Sequence, residues 1–269
     1  SLVVLLVGDD PASQTYVASK EKRSNELGFR GHVERHPSNV DADTLFQRIH
    51  ALNADRSVHG ILVQLPLPDH IDEQRVLLTI HPSKDVDGFH PENVGRLVAG
   101  LPCYAPCTPA GVMEILKRAQ IDIKGKHAVV VGRSNIVGKP MANLLYQKTP
   151  HANAIVTICH TAAPDLTRYT RDADILVAAV GAPEAIHGRD LKDGVVVIDV
   201  GMTRIPSDKT KTGYRLVGDV DFDSVAPKCS YITPVPGGVG PMTIIGLVQN
   251  TLLSAKKVVY ASTRNEVRS

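Results

Sequence analysis

Short apolar runs rich in valine, isoleucine and leucine recur along the chain, and stretches with helical periodicity separate them. Because the runs lack the polar–apolar alternation of a strand with one solvated face, both faces of each strand should be covered. Strands that alternate with helices in this way are typical of parallel sheets in an α/β fold, which the sequence therefore predicts. Strands are predicted at 2–7, 32–36, 59–65, 127–132, 154–159, 174–179 and 195–200, and helices near 13–28, 41–54, 109–119 and 137–148.

Two segments rich in proline and glycine interrupt this rhythm, at 82–109 and 232–243. We expect a domain boundary near the end of the first, where Thr108 would cap a helix that begins at Pro109. After the second segment, one apolar helix closes the chain and could return to the first domain. The predicted domains are 1–108 plus 241–269, and 109–240.

The bulk composition excludes several classes of protein. Charged residues make up 22% of the chain and the net charge is +2, which argues against nucleic-acid binding. No apolar run approaches 18 residues, so no membrane span is predicted. Cys103 and Cys107 form a C-x3-C pair without a second pair, a poor zinc signature, and no metal is expected. The four cysteines suggest free thiols in a reducing compartment such as the cytoplasm. The opening run, SLVVLLVG, is too short for a signal peptide, and we expect a further segment before Ser1.

The segment GRSNIVGKP, 132–140, follows the fourth predicted strand and opens a helix. It is not a P-loop, because Pro140 stands where that motif needs serine or threonine, and it lacks the G-x-G-x-x-G spacing. A glycine at a strand end can still let the backbone approach a phosphate at a helix N-terminus. Many such turns bind nothing, so this segment alone does not decide between a ligand site and a plain turn.

The next strand favours a nucleotide. NAD sites place an acid about 20 residues on, at the end of the second strand, to bind the ribose hydroxyls. Here that strand ends in Cys159, His160 and Thr161, without an acid. Arg133 offers a guanidinium, and Ser134 and Thr161 offer hydroxyls, which suit a 2′-phosphate. The sequence therefore favours NADP over NAD. The strand ends at 177–183 and 197–204 also contain glycine, as a nucleotide cleft at the carboxyl ends of the strands requires.

The first domain holds candidates for the chemistry. Tyr16 and Lys20 lie four residues apart on one helical face, although they could equally be a core residue and a solvated one. Gln64 ends an otherwise apolar strand, where a buried amide needs partners. KDVDGFH, 84–90, is either a surface turn or a binding loop. It does not continue as a calcium loop, whereas a carboxylate of this segment could accept from the two donors of a pterin edge.

Taken in order, YVASK, GILVQLPLP, KDVDGFHPENVGRL, CTPAGV, GRSNIVGKP, VIDVG, GDVDF and YITPVPGGVGPMT resemble the bifunctional methylenetetrahydrofolate dehydrogenase/methenyltetrahydrofolate cyclohydrolase family over nearly the whole chain. The resemblance implies a Rossmann-type NADP-binding domain and an α/β folate-binding catalytic domain, with a cleft between these two lobes. It implies oxidation of 5,10-methylenetetrahydrofolate by NADP and hydrolysis of the methenyl product to 10-formyltetrahydrofolate. A cytoplasmic homodimer is also implied.

The resemblance assigns roles to individual residues. Lys20 is the catalytic lysine, Gln64 orients it, Tyr16 packs on the aminobenzoyl ring of the folate, and Asp87 holds the pterin. The implied substrate-binding residues are Tyr16, Lys20, Val63, Gln64, Leu65, Asp87, Pro236, Gly237 and Gly238. The implied NADP-binding residues are Gly132, Arg133, Ser134, Thr161 and Met202.

These roles agree with simple chemistry. The methenyl intermediate is cationic and disfavours a protonated lysine beside it, so a neutral Lys20 could take a proton from attacking water. One departure concerns Thr161, where the family often has serine, and NAD use therefore stays open. A different NADP-dependent dehydrogenase acting on a small acid would need an arginine clamp near Lys20. A non-enzymatic NADP-binding module would have no use for Lys20, Gln64 and Asp87 together.

Overall fold

The computed structural model describes residues 1–210 and 213–260. They divide into two compact units, Ser1–Cys107 with the chain from Ile244 onward, and Thr108–Thr243. These limits lie within three residues of the domain limits expected from the sequence. In the described residues, no helix is both long enough and apolar enough to cross a membrane.

The first unit is built on a three-stranded parallel sheet in the order β2-β1-β3. Side chains of β1 point alternately into two apolar clusters. Val3, Leu5 and Val7 pack in one cluster, while Leu2 and Leu6 pack in the other, so both faces of the strand are covered as predicted. The elements are β1 (Leu2–Val7), α1 (Pro11–Glu26), β2 (Gly31–His36), α2 (Ala42–Ala54), β3 (Gly60–Val63), α3 (Glu73–Thr79) and α4 (Pro91–Val98).

The second unit is built on a five-stranded parallel sheet in the order β10-β7-β6-β4-β5, beside a two-stranded antiparallel hairpin, β8-β9. Its strands are β4 (His127–Val131), β5 (Ile155–Cys159), β6 (Ile175–Ala178), β7 (Val195–Asp199), β8 (Thr203–Pro206), β9 (Tyr214–Val217) and β10 (Cys229–Ile232). Its helices are α5 (Cys107–Arg118), α6 (Gly138–Tyr146), α7 (Thr167–Thr170), α8 (Phe222–Val225) and α9 (Val239–Ala255). Helix α9 starts in this unit and runs on into the first.

The strand order of the second sheet reverses at β4. The chain passes from β4 to β5 on one side and then returns to β6 on the other. In open α/β sheets, such a switch point opens a crevice at the carboxyl ends of the strands, where nucleotides bind. The crevice therefore lies between the loops that follow β4 and β6.

The last part of α9 belongs to the first unit. The Asn250 amide donates to the carbonyls of Val86 and Ala105, at 2.9 and 3.0 Å. The Ser254 hydroxyl donates to the carbonyls of His59 and Ser83. The closing helix thus returns to the first unit, as the sequence suggested.

All seven predicted strands and the four predicted helices are present, and the α/β class with parallel sheets is confirmed. Helices α3, α4, α7 and α8, the β8-β9 hairpin and β10 were not predicted. The expected cap at Thr108 was wrong, since α5 already begins at Cys107. The hydroxyl of Thr108 instead shares a hydrogen bond with that of Thr243, at 3.0 Å.

Candidate active site

Lys20 is held in the first unit by a neighbouring amide. Helix α1 begins after Asp10, whose side chain accepts from the N–H of Ser13, and carries Lys20 two turns further on. The side chain is only 7% exposed, which is uncommon for lysine. Its Nζ donates to Oε1 of Gln64 at 3.0 Å. The structure therefore brings these two sequence candidates together.

Gln64 is itself oriented by the backbone. Its Nε2 donates to the carbonyl of Leu65 at 2.7 Å, which leaves Oε1 facing Lys20. The backbone N–H of Gln64 donates to the carbonyl of Leu5 at the end of β1. The amide therefore has one orientation, and it offers the lysine an acceptor.

The two carboxylates of KDVDGFH lie in different surroundings. Asp85 is 2% exposed and accepts hydrogen bonds from the N–H groups of Phe89 and His90 and from the amide of Asn93. Its acceptor capacity is used to fold the loop. Asp87 is half-buried, and the positive charge of Lys20 acts on it. Asp87 is thus the carboxylate of this loop that the lysine influences through its charge.

Burial raises the pKa of Asp87 above its ordinary value, and the charge of Lys20 and the Cys107 thiol oppose that rise. Burial together with the charge of Asp87 raises the pKa of Cys107 well above its ordinary value, so this thiol stays protonated. A lysine, an amide and a carboxylate thus converge in a poorly solvated place, a common feature of catalytic sites.

Cys107 and Asn250 are two residues here that sequence reasoning did not select. Both reach the carbonyl of Val86, the residue before Asp87, with the thiol at 3.3 Å and the amide at 2.9 Å. They fix the backbone from which Asp87 projects. A buried amide in the apolar closing helix was the available signal, because such groups need partners. Its partners are distant in sequence and could not be foreseen.

The other expected folate residues are divided between the units. In the first, Tyr16 is half-buried on α1, Val63 ends β3 with 6% exposure, and Leu65 follows Gln64. Pro236, Gly237 and Gly238 lie in the second unit, in the turn before α9. A contact between these three and Lys20 stays a prediction.

The cofactor loop of the second unit begins at Gly132. This glycine has φ of +138°, and a Cβ there would collide with the carbonyl of Ala179, after β6. A Cβ at Gly138 would likewise collide with the backbone of Gly132. Gly132 thus allows the loops after β4 and β6 to approach each other closely, and Gly138 allows the start of α6 to pack against the loop after β4. The backbone beside the crevice is uncovered by side chains, as a dinucleotide phosphate requires.

Ser134 accepts hydrogen bonds from the backbone where the following helix begins. Its Oγ accepts from the N–H groups of Val137 and Gly138, at 3.1 and 3.3 Å, and its carbonyl accepts from Lys139. The N–H groups that open α6 are therefore engaged by Ser134, and the hydroxyl proton of Ser134 stays available to an anion. This modifies the simple expectation that the bare helix end attracts the phosphate.

Arg133 is exposed and, within the described residues, forms no ion pair. Gly132 donates to the carbonyl of Cys159 at 2.8 Å, so this loop starts beside the end of β5, which is followed by Thr161. Met202 lies in the loop after β7 and is 39% exposed. An exposed guanidinium, two hydroxyls and a bare backbone fit NADP.

No three histidine, cysteine or acidic side chains among the described residues are grouped as metal ligands.

Comparisons with known proteins agree with this geometry. The NAD(P)-binding domain of the tetrahydrofolate dehydrogenase/cyclohydrolase family matches residues 106–259, and the catalytic domain of the same family matches residues 1–87. A bifunctional FolD protein of Chloroherpeton thalassium is 58% identical over 255 residues, which cover 94% of this chain and 87% of that protein.

Two solved structures are also similar. The bifunctional FolD dehydrogenase/cyclohydrolase of Campylobacter jejuni is 52% identical, with a TM-score of 0.89, over 95% of this chain and 88% of that one. The FolD enzyme of Trypanosoma brucei, complexed with NADP cofactor and an inhibitor, is 42% identical, with a TM-score of 0.90, over 96% of this chain and 87% of that one.

Proposed function

Because this chain belongs to the tetrahydrofolate dehydrogenase/cyclohydrolase family, we propose that Lys20, Gln64 and Asp87 carry out its two reactions. The family resemblance seen in the sequence is confirmed. The protein is an NADP-dependent bifunctional enzyme that oxidises 5,10-methylenetetrahydrofolate and hydrolyses the methenyl product to 10-formyltetrahydrofolate. The contribution of each residue is the part that we propose.

The observation that carries the assignment is the convergence of Lys20, Gln64 and Asp87. The lysine is buried and donates to an amide of fixed orientation, and its charge acts on a carboxylate from another loop. A pterin edge offers two adjacent donors, and the Asp87 carboxylate can accept both. Folate bound in this way would bring its one-carbon unit toward Lys20.

The dehydrogenase step asks for alignment. NADP, when bound, supplies the hydride acceptor. Asp87 and Tyr16 bind and orient the folate, and Gly132, Arg133, Ser134, Thr161 and the backbone near Met202 hold the dinucleotide. The folate nitrogen lone pair assists loss of the hydride, so no protein base is needed at that carbon. Positioning is therefore the main contribution of the protein.

The cyclohydrolase step asks for a base. Water attacks the cationic methenyl carbon through its oxygen, and Lys20 in its neutral form accepts the proton that the water loses. Gln64 holds the Nζ in place through Oε1. The hydroxyl on this carbon then gives up its proton and becomes the formyl oxygen as the bond to the ring nitrogen N5 breaks. N5 takes up a proton, so the whole step releases one proton. The formyl group stays on N10.

The competing assignments explain fewer of the contacts. A small-acid dehydrogenase would place an arginine beside Lys20 to bind the substrate carboxylate. Lys20 instead contacts the Gln64 amide, and its charge acts on the Asp87 carboxylate, which would repel an acidic substrate. A non-enzymatic NADP-binding module would not require a buried lysine with an oriented partner.

A two-part assay tests the proposal. The purified protein, given NADP and 5,10-methylenetetrahydrofolate, should form NADPH, and given methenyltetrahydrofolate alone it should hydrolyse it. A Gln64→Glu variant, which would hold Lys20 protonated, should lose the second activity. Full cyclohydrolase activity in that variant would contradict the role of Lys20 as a base.

We also infer that the protein is a homodimer. Strand β5 is an edge of the second sheet, and it exposes Ile155 and Ile158 by 65% and 45%. Exposed apolar edge strands favour pairing with another chain. Light scattering should give twice the chain mass, and Ile155→Lys together with Ile158→Lys should give a monomer. A wild-type protein of single-chain mass would contradict this inference.

A cytoplasmic location is proposed from the resemblance, and the unpaired thiols of its four cysteines fit a reducing compartment. Cell fractionation, with the protein detected by an antibody, would test it. Recovery in another fraction would refute it.

A further inference from the structure

Two acidic side chains of the second unit are buried close to each other. Asp199 ends β7 in the motif VIDVG and is 3% exposed, and Asp219 lies in the motif GDVDF and is 0% exposed. Aspartate is seldom so deeply buried. We call Asp199 and Asp219 the acid pair, and the mechanism above gives it no role.

Asp219 holds the loop that follows β6. Its Oδ2 accepts from the N–H groups of Val180 and Gly181, at 2.6 and 3.0 Å. Both hydrogen bonds are charge-assisted when Asp219 is ionised, and such bonds are stronger than neutral ones. Asp219 therefore determines where the backbone runs after the end of β6.

Asp199 holds the loop that follows β7 and ties it to Asp219. Its Oδ1 accepts from the N–H groups of Gly201 and Asp219, both at 2.9 Å. Its Oδ2 accepts from the N–H of Val220 at 3.1 Å. The N–H of Asp199 donates to the hydroxyl of Thr233. The two loops are thus connected through the acid pair.

Glycine next to each acid makes the connection possible. A Cβ at Gly201 would collide with the carboxyl group of Asp219, and a Cβ at Gly218 would collide with that of Asp199. Each carboxyl group therefore packs against the backbone beside the other acid. This explains why VIDVG and GDVDF combine an acid with a glycine.

The loops that the pair holds lie where the cofactor binds. The loop after β6 begins beside Gly132, since Ala179 donates to the carbonyl of Val131 at 2.8 Å and its own carbonyl lies against Gly132. The loop after β7 contains Met202, and both loops stand at the carboxyl ends of strands. Asp199 and Asp219 are only 3% and 0% exposed, so they act through the backbone of the loops that they hold.

We propose that Asp199 and Asp219 are positioning residues for NADP, which fix the backbone of the loops after β6 and β7 against the cofactor. The proposal rests on the NADP-dependent activity described above. One carboxylate oxygen, Oδ1 of Asp219, has no hydrogen-bond partner among the described residues. A buried acceptor without a partner costs stability, and retention of such a group is explained if the loop geometry serves binding.

The test compares Asp219→Ala with a matched control. Removal of the carboxylate leaves two N–H groups without their acceptor, so the dissociation constant for NADP, measured by calorimetry, should rise about tenfold or more. Binding of a folate-analogue inhibitor should stay within about twofold.

The control is Asp174→Ala. Asp174 accepts from the N–H of His127 and from Lys192, at the amino ends of the strands, away from the cofactor. The Asp174→Ala substitution should lower the melting temperature without weakening NADP binding.

Rescue distinguishes positioning from general stability. Asp219→Asn keeps an oxygen that can accept from Val180 and Gly181, and should recover most of the affinity. If Asp219→Ala does not fold, Gly218→Ala is used, because it displaces the Asp199 carboxyl group and should also weaken NADP binding. Unchanged affinity in a folded Asp219→Ala or Gly218→Ala protein, or an equal loss in Asp174→Ala, would overturn the proposal. A wild-type protein that binds NADP but does not oxidise the folate would refute the proposed reaction and leave the acid pair testable.

Discussion

Lys20 and Gln64 form the lysine site of the first unit, and residues 132–140 form the cofactor loop of the second. The two differ in whether their polar side chains are buried with protein partners or exposed to solvent. Lys20 is buried, and its partner Gln64 is oriented by the backbone. Arg133 and Ser134, in contrast, are exposed. The side chains proposed for the chemistry are held by partners within the protein, while those proposed for cofactor recognition are exposed.

This difference has a physical reason. A proton acceptor must have its protonation state set by its surroundings, which requires burial and fixed neighbours. A phosphate-binding group needs only charge and reach, and an exposed arginine supplies both. Substitutions in the lysine site should therefore have large effects on rate, and those in the cofactor loop smaller effects on affinity.

The largest effect is expected for Lys20→Met. If Lys20 accepts the proton of the attacking water, the cyclohydrolase rate should fall about 10²–10⁴-fold. The dehydrogenase step needs no base at the carbon, so its rate should fall less. Both rates are measured on one preparation together with folate binding.

Lys22→Met is the control for this substitution. Lys22 lies on the same helix, is exposed, and pairs with Glu26, so its replacement should change neither rate appreciably. If Lys20→Met kept its cyclohydrolase activity while the dehydrogenase activity disappeared, the assigned role of Lys20 would be wrong.

A second prediction concerns pH and the acid pair. Burial raises the pKa of Asp199 from its ordinary 3.8 to about 6, assisted by the charge of Asp219. The folded state therefore binds the proton more tightly than the unfolded state, and the stability that this contributes is present below about pH 4 and lost as the pH rises through 6. This rise in pKa corresponds to a change of about 3 kcal/mol at most in the free energy of unfolding.

Denaturant unfolding of wild type and Asp199→Asn between pH 4 and 7 checks this. The free energy of unfolding of the wild type, taken relative to the variant, should fall across that interval, because asparagine does not titrate. Asp199 lines a cavity together with Glu184 and Arg215, two charged groups that pair with each other at 2.9 Å. Parallel curves for the two proteins would contradict the raised pKa.

The sequence could predict the features that leave a local pattern, and it could not predict those that depend on distant residues. Strands such as β1 and β4 were found because apolar runs covered on both faces leave a strong local pattern. The lysine site was partly visible, since Tyr16 and Lys20 share one helix and Gln64 ends a strand. The contacts that hold the Asp87 loop in place are long-range, so the sequence could not predict them.

The contacts that sequence reasoning missed join distant parts of the chain. Asn250 reaches Val86 across 164 positions, and Asp219 reaches Val180 across 39. Neither partner leaves a periodic signal, because a single hydrogen bond to a backbone carbonyl or N–H imposes no residue type on its partner. The short helices α3 and α4 were missed because their Pro/Gly-rich surroundings favour turns.

A third, smaller effect is expected for Asp87→Asn. The carboxylate gives charge-assisted hydrogen bonds to a pterin edge, and their loss should weaken folate binding about 10- to 100-fold. Both reactions should decline together, since both need the bound folate. Calorimetry with a folate analogue and the two rates check this. A loss confined to one reaction would show that Asp87 acts on Lys20 and not on the pterin.

The smallest effect is expected for Arg133→Ala, in the exposed loop. Because the guanidinium is solvated, a contact with the 2′-phosphate is worth about 1 kcal/mol, and the Michaelis constant for NADP should rise about five- to tenfold. NAD lacks that phosphate, so its Michaelis constant should hardly change.

Arg118→Ala is the control, since Arg118 is exposed in the same unit and pairs with Glu114. Raised salt should reduce the difference between wild type and Arg133→Ala, as it screens an exposed contact. Equal changes for NADP and NAD would show that Arg133 does not select the cofactor, and Thr161 would then be the next residue to replace.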